Sequence, residues 1–577
     1  LKGNWLSGIN FIDNLYLGPH DGIPSEMAQN NGRHKYYFLP FILGLIGLIY
    51  QLGRDKKNFT VVMWLFFMMG IALVLYFNTT PGEPRERDYV YAGSFYAFCI
   101  WIGLGVMSIR EFLVKVTKKN TVAMAMGVTV VCACVPVILA AQNWDDHSRA
   151  HRYIAHDIGF NYLESTLPNS IIMNYGDNDT FPLWYNQEVE GVRLDVRIMN
   201  MSYLGADWYI EQMKIRSNDS DPVPFSLPFS KYKNHTNNVM YVVDVIDSGE
   251  HAFQLSDLMA FIKSEDPATK ITPYDEAEDY IPIKTVYLPV NKENAIASGI
   301  VKAEDSHLMV DTIPITFRAE RIDKSELMLL DLLANFDWKR PLYFTSYSYL
   351  DNFGMREYLQ FDGFAYRLVP IKTRSQVGKV GRIDTEYLWQ KLMEEFRYGN
   401  ISDPRVYVDS FVDNILSVAQ SRNAFARLGE QLVMEGDTLR AIAAVDAAIE
   451  KMPFEQLRHN YIQTIPLIET YYLAGAWDKG DAVLKDYSGN LMEYLNYFLR
   501  FNDSKAEYVA QEANDKLQIL HELYRVAEFF GRYELLPEIA KVFSEYGFAL
   551  EPTPYTERPD LLEENDLQVP QGDMRIP

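Results

Sequence analysis

Four charge-free apolar runs follow one another before residue 145, at 36–52, 59–77, 89–109 and 121–141. Each is 17 to 21 residues long, and a helix of about 20 residues crosses the roughly 30 Å hydrocarbon core of a bilayer. Four such runs in succession rarely occur in a soluble domain, so they read as membrane helices rather than buried core helices. Tyr and Trp near the run ends suit interfacial belts. Runs one and two are joined by Arg54, Lys56 and Lys57, and runs three and four by a segment with Arg110, Lys115, Lys118 and Lys119. Short basic loops stay in the cytoplasm. The segment before residue 36, the loop 78–88 and everything after residue 142 are then expected outside it. The chain begins at Leu1 with no basic region or cleavage site before the first run, so it reads as starting inside something longer.

The outer loop between runs two and three is the most unusual short stretch. Glu83, Arg85, Glu86, Arg87 and Asp88 place five ionisable groups in six positions, where the chain leaves and re-enters the bilayer. Two prolines and a glycine oppose a helix there. Guanidinium forks bind phosphate, and neighbouring carboxylates can orient a hydroxyl or act as a base. Arg85, Arg87 and Glu83 are therefore candidate substrate-binding residues, and Glu86 and Asp88 candidate catalytic ones. The alternative is a polar turn with mutual salt bridges.

The chain as a whole is acidic. It carries 54 basic and 77 acidic residues, a net charge of −23, which disfavours an electrostatic grip on nucleic acid. Its three cysteines (Cys99, Cys132, Cys134) all lie in the apolar runs and exclude a disulfide framework. His147 and His151 could share a helix face as metal ligands do; such residues more often cap a membrane helix at the interface, and no metal is expected. From residue 170 the pattern becomes strand 171–175, acidic turn 176–180, helix 181–189 and strand 195–199, a βαβ-like unit whose loop lies where α/β sheets place ligands. Asp177 and Asp179 are candidate binding residues in that turn; capping by Asp179 or Thr180 is the structural alternative. Further strands are predicted at 285–289, 309–317, 341–345 and 364–371, and helices at 324–335 and 351–358. No Gly-rich phosphate fingerprint or hydrolase elbow occurs. After residue 384 the pattern is helical, broken at Gly436, Gly475 and Gly531 in the manner of degenerate tetratricopeptide-type repeats. The expected divisions are an outer segment (1–35), four membrane helices (36–144), an α/β domain (145–380), a helical tetratricopeptide-like domain (381–552) and a tail (553–577).

The run NTTPGEPRERDYVYAGSFYAFCIWIGLGV (78–106) resembles the most specific motif of a large Bacteroidetes membrane family long catalogued as a domain of unknown function. NYGDNDTFPLWYNQEVEGVRLDVRIMN (174–200), WKRPLYF (338–344) and AYRLVPI (365–371) resemble it too. That family is related to eukaryotic transmembrane protein O-mannosyltransferases. The resemblance implies a multi-pass membrane segment, part of a glycosyltransferase C-type fold, followed by an extracytoplasmic α/β domain and a helical repeat-like domain. It implies an inner-membrane location with a large periplasmic domain, a polyprenyl-phosphate-linked sugar as donor, an acceptor protein, the membrane itself as partner, and no certain cofactor. The family's main catalytic aspartate lies in an acidic motif of the first outer loop. Asp13 and Asp21 do not sit in such a motif, so that base is expected upstream of residue 1. The alternative reading is a membrane-anchored scaffold recruiting envelope proteins through its helical repeats.

The orientation is open to direct test. An impermeant thiol reagent on intact cells is expected to label cysteines placed at Gly82 and Asn234 but not at Lys56; labelling at Lys56 with protection at Asn234 overturns it.

Overall fold

The computed structural model describes residues 6–18, 22–30, 32–78, 87–246, 253–272, 277–374, 379–408, 414–454, 457, 462–501 and 503–550. Among the described residues, three helices are long and apolar enough to cross a membrane: Lys56–Phe77, Asp88–Thr117 and Val122–Asp145. The first apolar run forms a shorter helix, Leu39–Arg54, of 16 residues. Left-handed Tyr37 and Phe38 and then Pro40 delay its start past the predicted residue 36. The outward faces are apolar, with Trp64, Leu75 and Val131 all more than half exposed. Water does not tolerate such a surface over whole helices, whereas lipid does.

Small residues let two of these helices approach closely. A methyl group at Gly47 would stand 1.7 Å from the Trp101 carbonyl oxygen, and one at Gly105 2.2 Å from that of Leu43. Without a hydrophobic drive between helices in lipid, such close van der Waals contact and interhelical hydrogen bonds hold the pair. Trp101 supplies the bond: it is fully buried and its indole N–H donates to Gln51 Oε1 at 2.7 Å. At the other end of the bundle, the Lys35 amide donates to Gln142 Oε1 at 2.9 Å and Asn143 Nδ2 to the Tyr36 hydroxyl at 2.6 Å. The start of the first helix and the end of the fourth therefore meet.

Eleven short strands among the described residues follow in the large domain. They are β1 (Ile171–Asn174), β2 (Arg197–Asn200), β3 (Val239–Val242), β4 (Lys270–Ile271), β5 (Glu278–Ile281), β6 (Thr285–Pro289), β7 (Thr312–Thr316), β8 (Arg321–Asp323), β9 (Leu342–Phe344), β10 (Leu359–Phe361) and β11 (Tyr366–Leu368). The central sheet has the order β10-β11-β9-β1-β2. β1 runs parallel to both β2 and β9, and β11 runs antiparallel to β9. A second sheet, β4-β5-β3-β8, and the β6-β7 ribbon form a separate lobe.

Period-two alternation sends the side chains of the central sheet into two different cores. Ile172, Ile198 and Tyr343 face a core shared with the helices Ile154–Glu164 and Gln420–Met434 and those after them. Ile171, Met173, Met199, Leu342 and Phe344 face a core shared with the second lobe and the nearly fully buried helix Lys324–Ala334. That helix is fixed at its start by a capping box, in which the Glu326 amide donates to Asp323 Oδ1 at 2.8 Å and the Asp323 amide to Glu326 Oε2 at 2.9 Å.

The carboxy-terminal part consists of helix pairs. Gln420–Met434 and Thr438–Lys451 turn at Gly436, Ile465–Leu473 and Trp477–Phe498 at Gly475, and Asp503–Phe529 and Leu536–Glu545 near Gly531. All three glycines are left-handed, with φ of 85°, 79° and 70°, a conformation that costs Gly little and other residues more. The first core runs unbroken from the sheet into these helices, across the division expected at residue 380. The segment before the apolar helices docks on the helix pairs as well. The Ser25 amide and hydroxyl donate to the Glu493 carboxylate at 2.8 and 2.9 Å, and the Tyr494 hydroxyl donates to Glu26 at 3.0 Å.

Phe425 is fully buried in the shared core beside Tyr398. Phe425→Ala is expected to cost about 3–5 kcal/mol and to open the sheet domain and the helix pairs to proteolysis together. Cleavage confined to the helix pairs would show two independent cores.

Candidate functional site

Because the central sheet is covered on both faces, its accessible parts are the strand ends. The chain leaves β1 in one direction, through the helix Asp177–Glu188, to β2. It reaches β9, on the other side of β1, only after the whole second lobe. Such a reversal opens a crevice at the carboxyl ends of the parallel strands, where open α/β sheets bind ligands.

Asp179 bridges this crevice. Its Oδ1 accepts from the Gly176 amide at 2.8 Å, and its Oδ2 accepts from the Tyr175 amide at 3.3 Å and from the Thr345 hydroxyl at 3.0 Å. Thr345 follows β9, so one carboxylate ties the exits of β1 and β9 together. Asp179 does cap the helix, but from inside its first turn. The helix begins at Asp177, four residues before the predicted start, and Gly176 is the residue ahead of it. Acidic side chains in a first turn complement the helix dipole, which is why the run DND continues the helix rather than breaking it. Thr180 is buried and bonds back to the Gly176 carbonyl at 2.6 Å, and Asn200 Nδ2 donates to Thr180 Oγ1 at 2.8 Å, which ties in the exit of β2. Asp177 is exposed and accepts from the Tyr203 hydroxyl at 3.4 Å. Of the two carboxylates, Asp179 is committed to structure and Asp177 faces solvent.

The phenols around Asp179 resist ionisation. Burial, and then the nearby Asp179 charge, push the Tyr162 hydroxyl well up; burial does the same to Tyr349, whose oxygen lies 3.2 Å from Thr345 Oγ1. Both remain hydrogen-bond donors at neutral pH.

The membrane-loop candidates fall partly outside the described residues: Glu83, Arg85 and Glu86 lie there. Arg87 and Asp88 are exposed at the head of the Asp88–Thr117 helix, where Asp88 opens a single 3-10 turn ahead of Ala92–Thr117. The structure thus brings Arg87 and Asp88 together on one element and Asp177 and Asp179 together on another. Thr345, Tyr349 and Tyr162 were not singled out from the sequence. The one local signal was the hydroxyl-dense run TSYSY at 345–349; nothing local links it to residue 179.

Residues 155–387, which contain this crevice, match the family described as TMEM260-associated domain 2. The chain is 22% identical over 255 residues to the protein O-mannosyl-transferase tmem260 of Dictyostelium discoideum, a match covering 38% of this chain and 30% of that protein. The chain is a distant relative of a protein O-mannosyl-transferase. It spans under a third of that relative's length. No solved structure matches it.

The two carboxylates are separable by stability. Asp179→Ala, which leaves two amides and a hydroxyl without their acceptor, is expected to cost about 2 kcal/mol. Asp177→Asn is expected to leave the thermal midpoint unchanged. Equal midpoints for the two variants would remove Asp179 from its bridging role.

Proposed function

We propose that this chain carries the donor-side loop and outer domain of a membrane glycosyltransferase. The enzyme moves a sugar from a polyprenyl-phosphate-linked donor to a protein Ser or Thr hydroxyl, on the periplasmic side of the inner membrane. The observation that carries this reading is the likeness to a protein O-mannosyl-transferase, together with the family match over the outer domain. The long apolar helices and the charged loop between two of them support it.

In this mechanism the acceptor oxygen attacks the anomeric carbon while the bond from that carbon to the phosphate oxygen breaks. The hydroxyl proton passes to a carboxylate, and the lipid phosphate leaves as an anion. Cations placed where that charge develops lower the barrier. Arg85 and Arg87 are assigned to the phosphate, with Glu83 beside them, and Glu86 and Asp88 to orienting the arginines or assisting the acceptor. Asp88 opens an apolar helix long enough to cross a membrane, and lipid head groups lie near the ends of such helices. Asp177, the solvent-facing carboxylate of the crevice, is assigned to acceptor contact; Asp179 holds the turn that presents it.

An arginine fork is not replaced by a lysine point charge. Loss of one charge-assisted contact should cost on the order of 2 kcal/mol, or about thirtyfold. Arg85→Lys and Arg87→Lys are therefore expected to weaken donor-lipid binding or transfer at normal protein level, and Asp88→Asn to lower turnover more than donor binding. Unchanged transfer in both lysine variants would remove the arginines from the site. Loss of protein level in Asp88→Asn would mark a structural turn.

A further inference from the structure

The outward face of the helix Asp177–Glu188 is aromatic. Phe181 and Tyr185, one turn apart, are 50% and 45% exposed, and Trp184 lies between them. The rings continue on both sides of this helix. Phe181 lies 5.6 Å from Trp184, Trp184 6.3 Å from Tyr203, and Tyr203 6.5 Å from the exposed Trp208. In the other direction Tyr185 lies 6.2 Å from His156, and His156 6.4 Å from the exposed Tyr153. One band of rings therefore crosses the helices Ile154–Glu164, Asp177–Glu188 and Asp207–Met213, and exposed Val189 extends it. Apolar surface of this extent on a folded domain marks a docking face.

The position of the band points to what covers it. Its first ring, Tyr153, follows the end of the apolar helix Val122–His147 by six residues. Six residues span at most about 20 Å, so this end of the sheet domain is held close to the end of a helix long and apolar enough to cross a membrane. The helix Asp177–Glu188 is fixed to the same end, because Asn186 Nδ2 donates to the His156 carbonyl at 2.9 Å. Tyr and Trp, with an apolar body and a polar tip, are the side chains that gather in the head-group layer of a bilayer. The band is thus continuous with the membrane helices in both position and composition.

The charges beside the rings select the kind of lipid. Asp177, Glu188 and Glu190 are exposed there, and each carboxylate is held by a neutral donor: the Tyr203 hydroxyl at 3.4 Å, Asn218 Nδ2 at 3.0 Å and the Tyr185 hydroxyl at 2.9 Å. Carboxylates so placed are repelled by an anionic bilayer surface and not by a zwitterionic one.

We propose that the sheet domain rests on the membrane through this aromatic band, on a surface of zwitterionic lipid. The inference stands on the band and the short link, and does not require the chain to transfer sugar. Docking also sets the mouth of the crevice at the head-group layer, since Asp177 precedes Phe181 by one turn on the same helix face.

The test uses the full chain in phosphatidylcholine nanodiscs, with Cys99, Cys132 and Cys134 replaced by alanine. A single nitroxide is attached through Phe181→Cys, Trp208→Cys, Val189→Cys or, as control, Leu439→Cys; Leu439 is exposed near the Gly436 turn of the helix pairs. Collisions with oxygen, which favours the bilayer, and with a neutral nickel chelate, which favours water, read the depth of each label. The three band labels are expected about 5–10 Å into the head-group and acyl boundary, and the Leu439 label in water. Mixing in phosphatidylglycerol is expected to make the band labels shallower. Phe181→Asp with Trp208→Asp alters exposed side chains only, so this double variant is expected to keep its thermal midpoint while its Val189 label moves to water. Several results overturn the proposal: band labels in water, band labels that become buried only when a peptide or protein partner is added, a Leu439 label as deep as the band, or an unchanged Val189 depth in the double variant. Band labels that sink deeper with phosphatidylglycerol overturn the assignment to zwitterionic lipid.

Discussion

Everything outside the membrane depends on a central sheet buried on both faces. The middles of β1 and β2 and all of β9 are apolar and buried, as in parallel strands covered on both sides, and alternate residues serve different cores. A slip of one residue would exchange the two cores, so the register is set from both sides at once. A buried ion pair sits at the β10–β11 hairpin of this sheet. Asp362 is fully buried and meets Arg367 at 3.1 Å, while the Tyr343 hydroxyl and Gln360 Nε2 donate to it at 3.0 and 2.9 Å. Burial pushes the Asp362 carboxyl up against the opposing pull of Arg367. Removing either partner would leave a charge without compensation in the interior.

That arrangement also explains where function can lie. With both faces covered and the β2 and β10 edges short, the open positions are the strand ends. The crevice at β1 and β9 is such an end, and it is bridged by a side chain whose three bonds join segments far apart in the chain. The bridge makes the geometry of the crevice a property of the fold rather than of one loop.

Much of this was legible in the sequence where the signal is local. The apolar runs, β1, β6, the helix at 324–334 and the glycine turns at 436, 475 and 531 follow from composition and periodicity within a few residues. β3, β4, β5 and β8 were not, because strands of two to four residues carry too little alternation to stand out. The strand predicted at 364–371 is half of a hairpin whose other half, β10, has no pattern of its own. The helix predicted at 351–358 is interrupted by left-handed Gly354 into two 3-10 turns. The long motifs were partly scaffold. Trp338 is fully buried and donates to the Pro289 carbonyl at 2.9 Å, and Arg340 donates to Asn169, Asp221 and Ser220, with burial lowering its guanidinium to about 10. The bridge from Thr345 to Asp179 has no local sign, since the two residues lie 166 positions apart.

The segment before Leu39 adds a constraint on how the sheet domain can be held. A domain tethered to a membrane by one helix end can swing about that point. Here the chain is fastened on both flanks of the helical bundle. Val122–His147 runs directly into the first core through Ile154–Glu164, and the segment before Leu39 is bonded both to that helix's end at Gln142 and to Glu493 and Tyr494 of the helix pairs. Two attachments at separated points resist rotation where one does not. The crevice at β1 and β9 and the head of the Asp88–Thr117 helix therefore keep a set relation. The transfer reaction proposed above would need that relation, because misplacing reacting groups by about 1 Å can cost a hundredfold. The helix pairs close the core beneath the sheet on one side and hold the segment before Leu39 on the other.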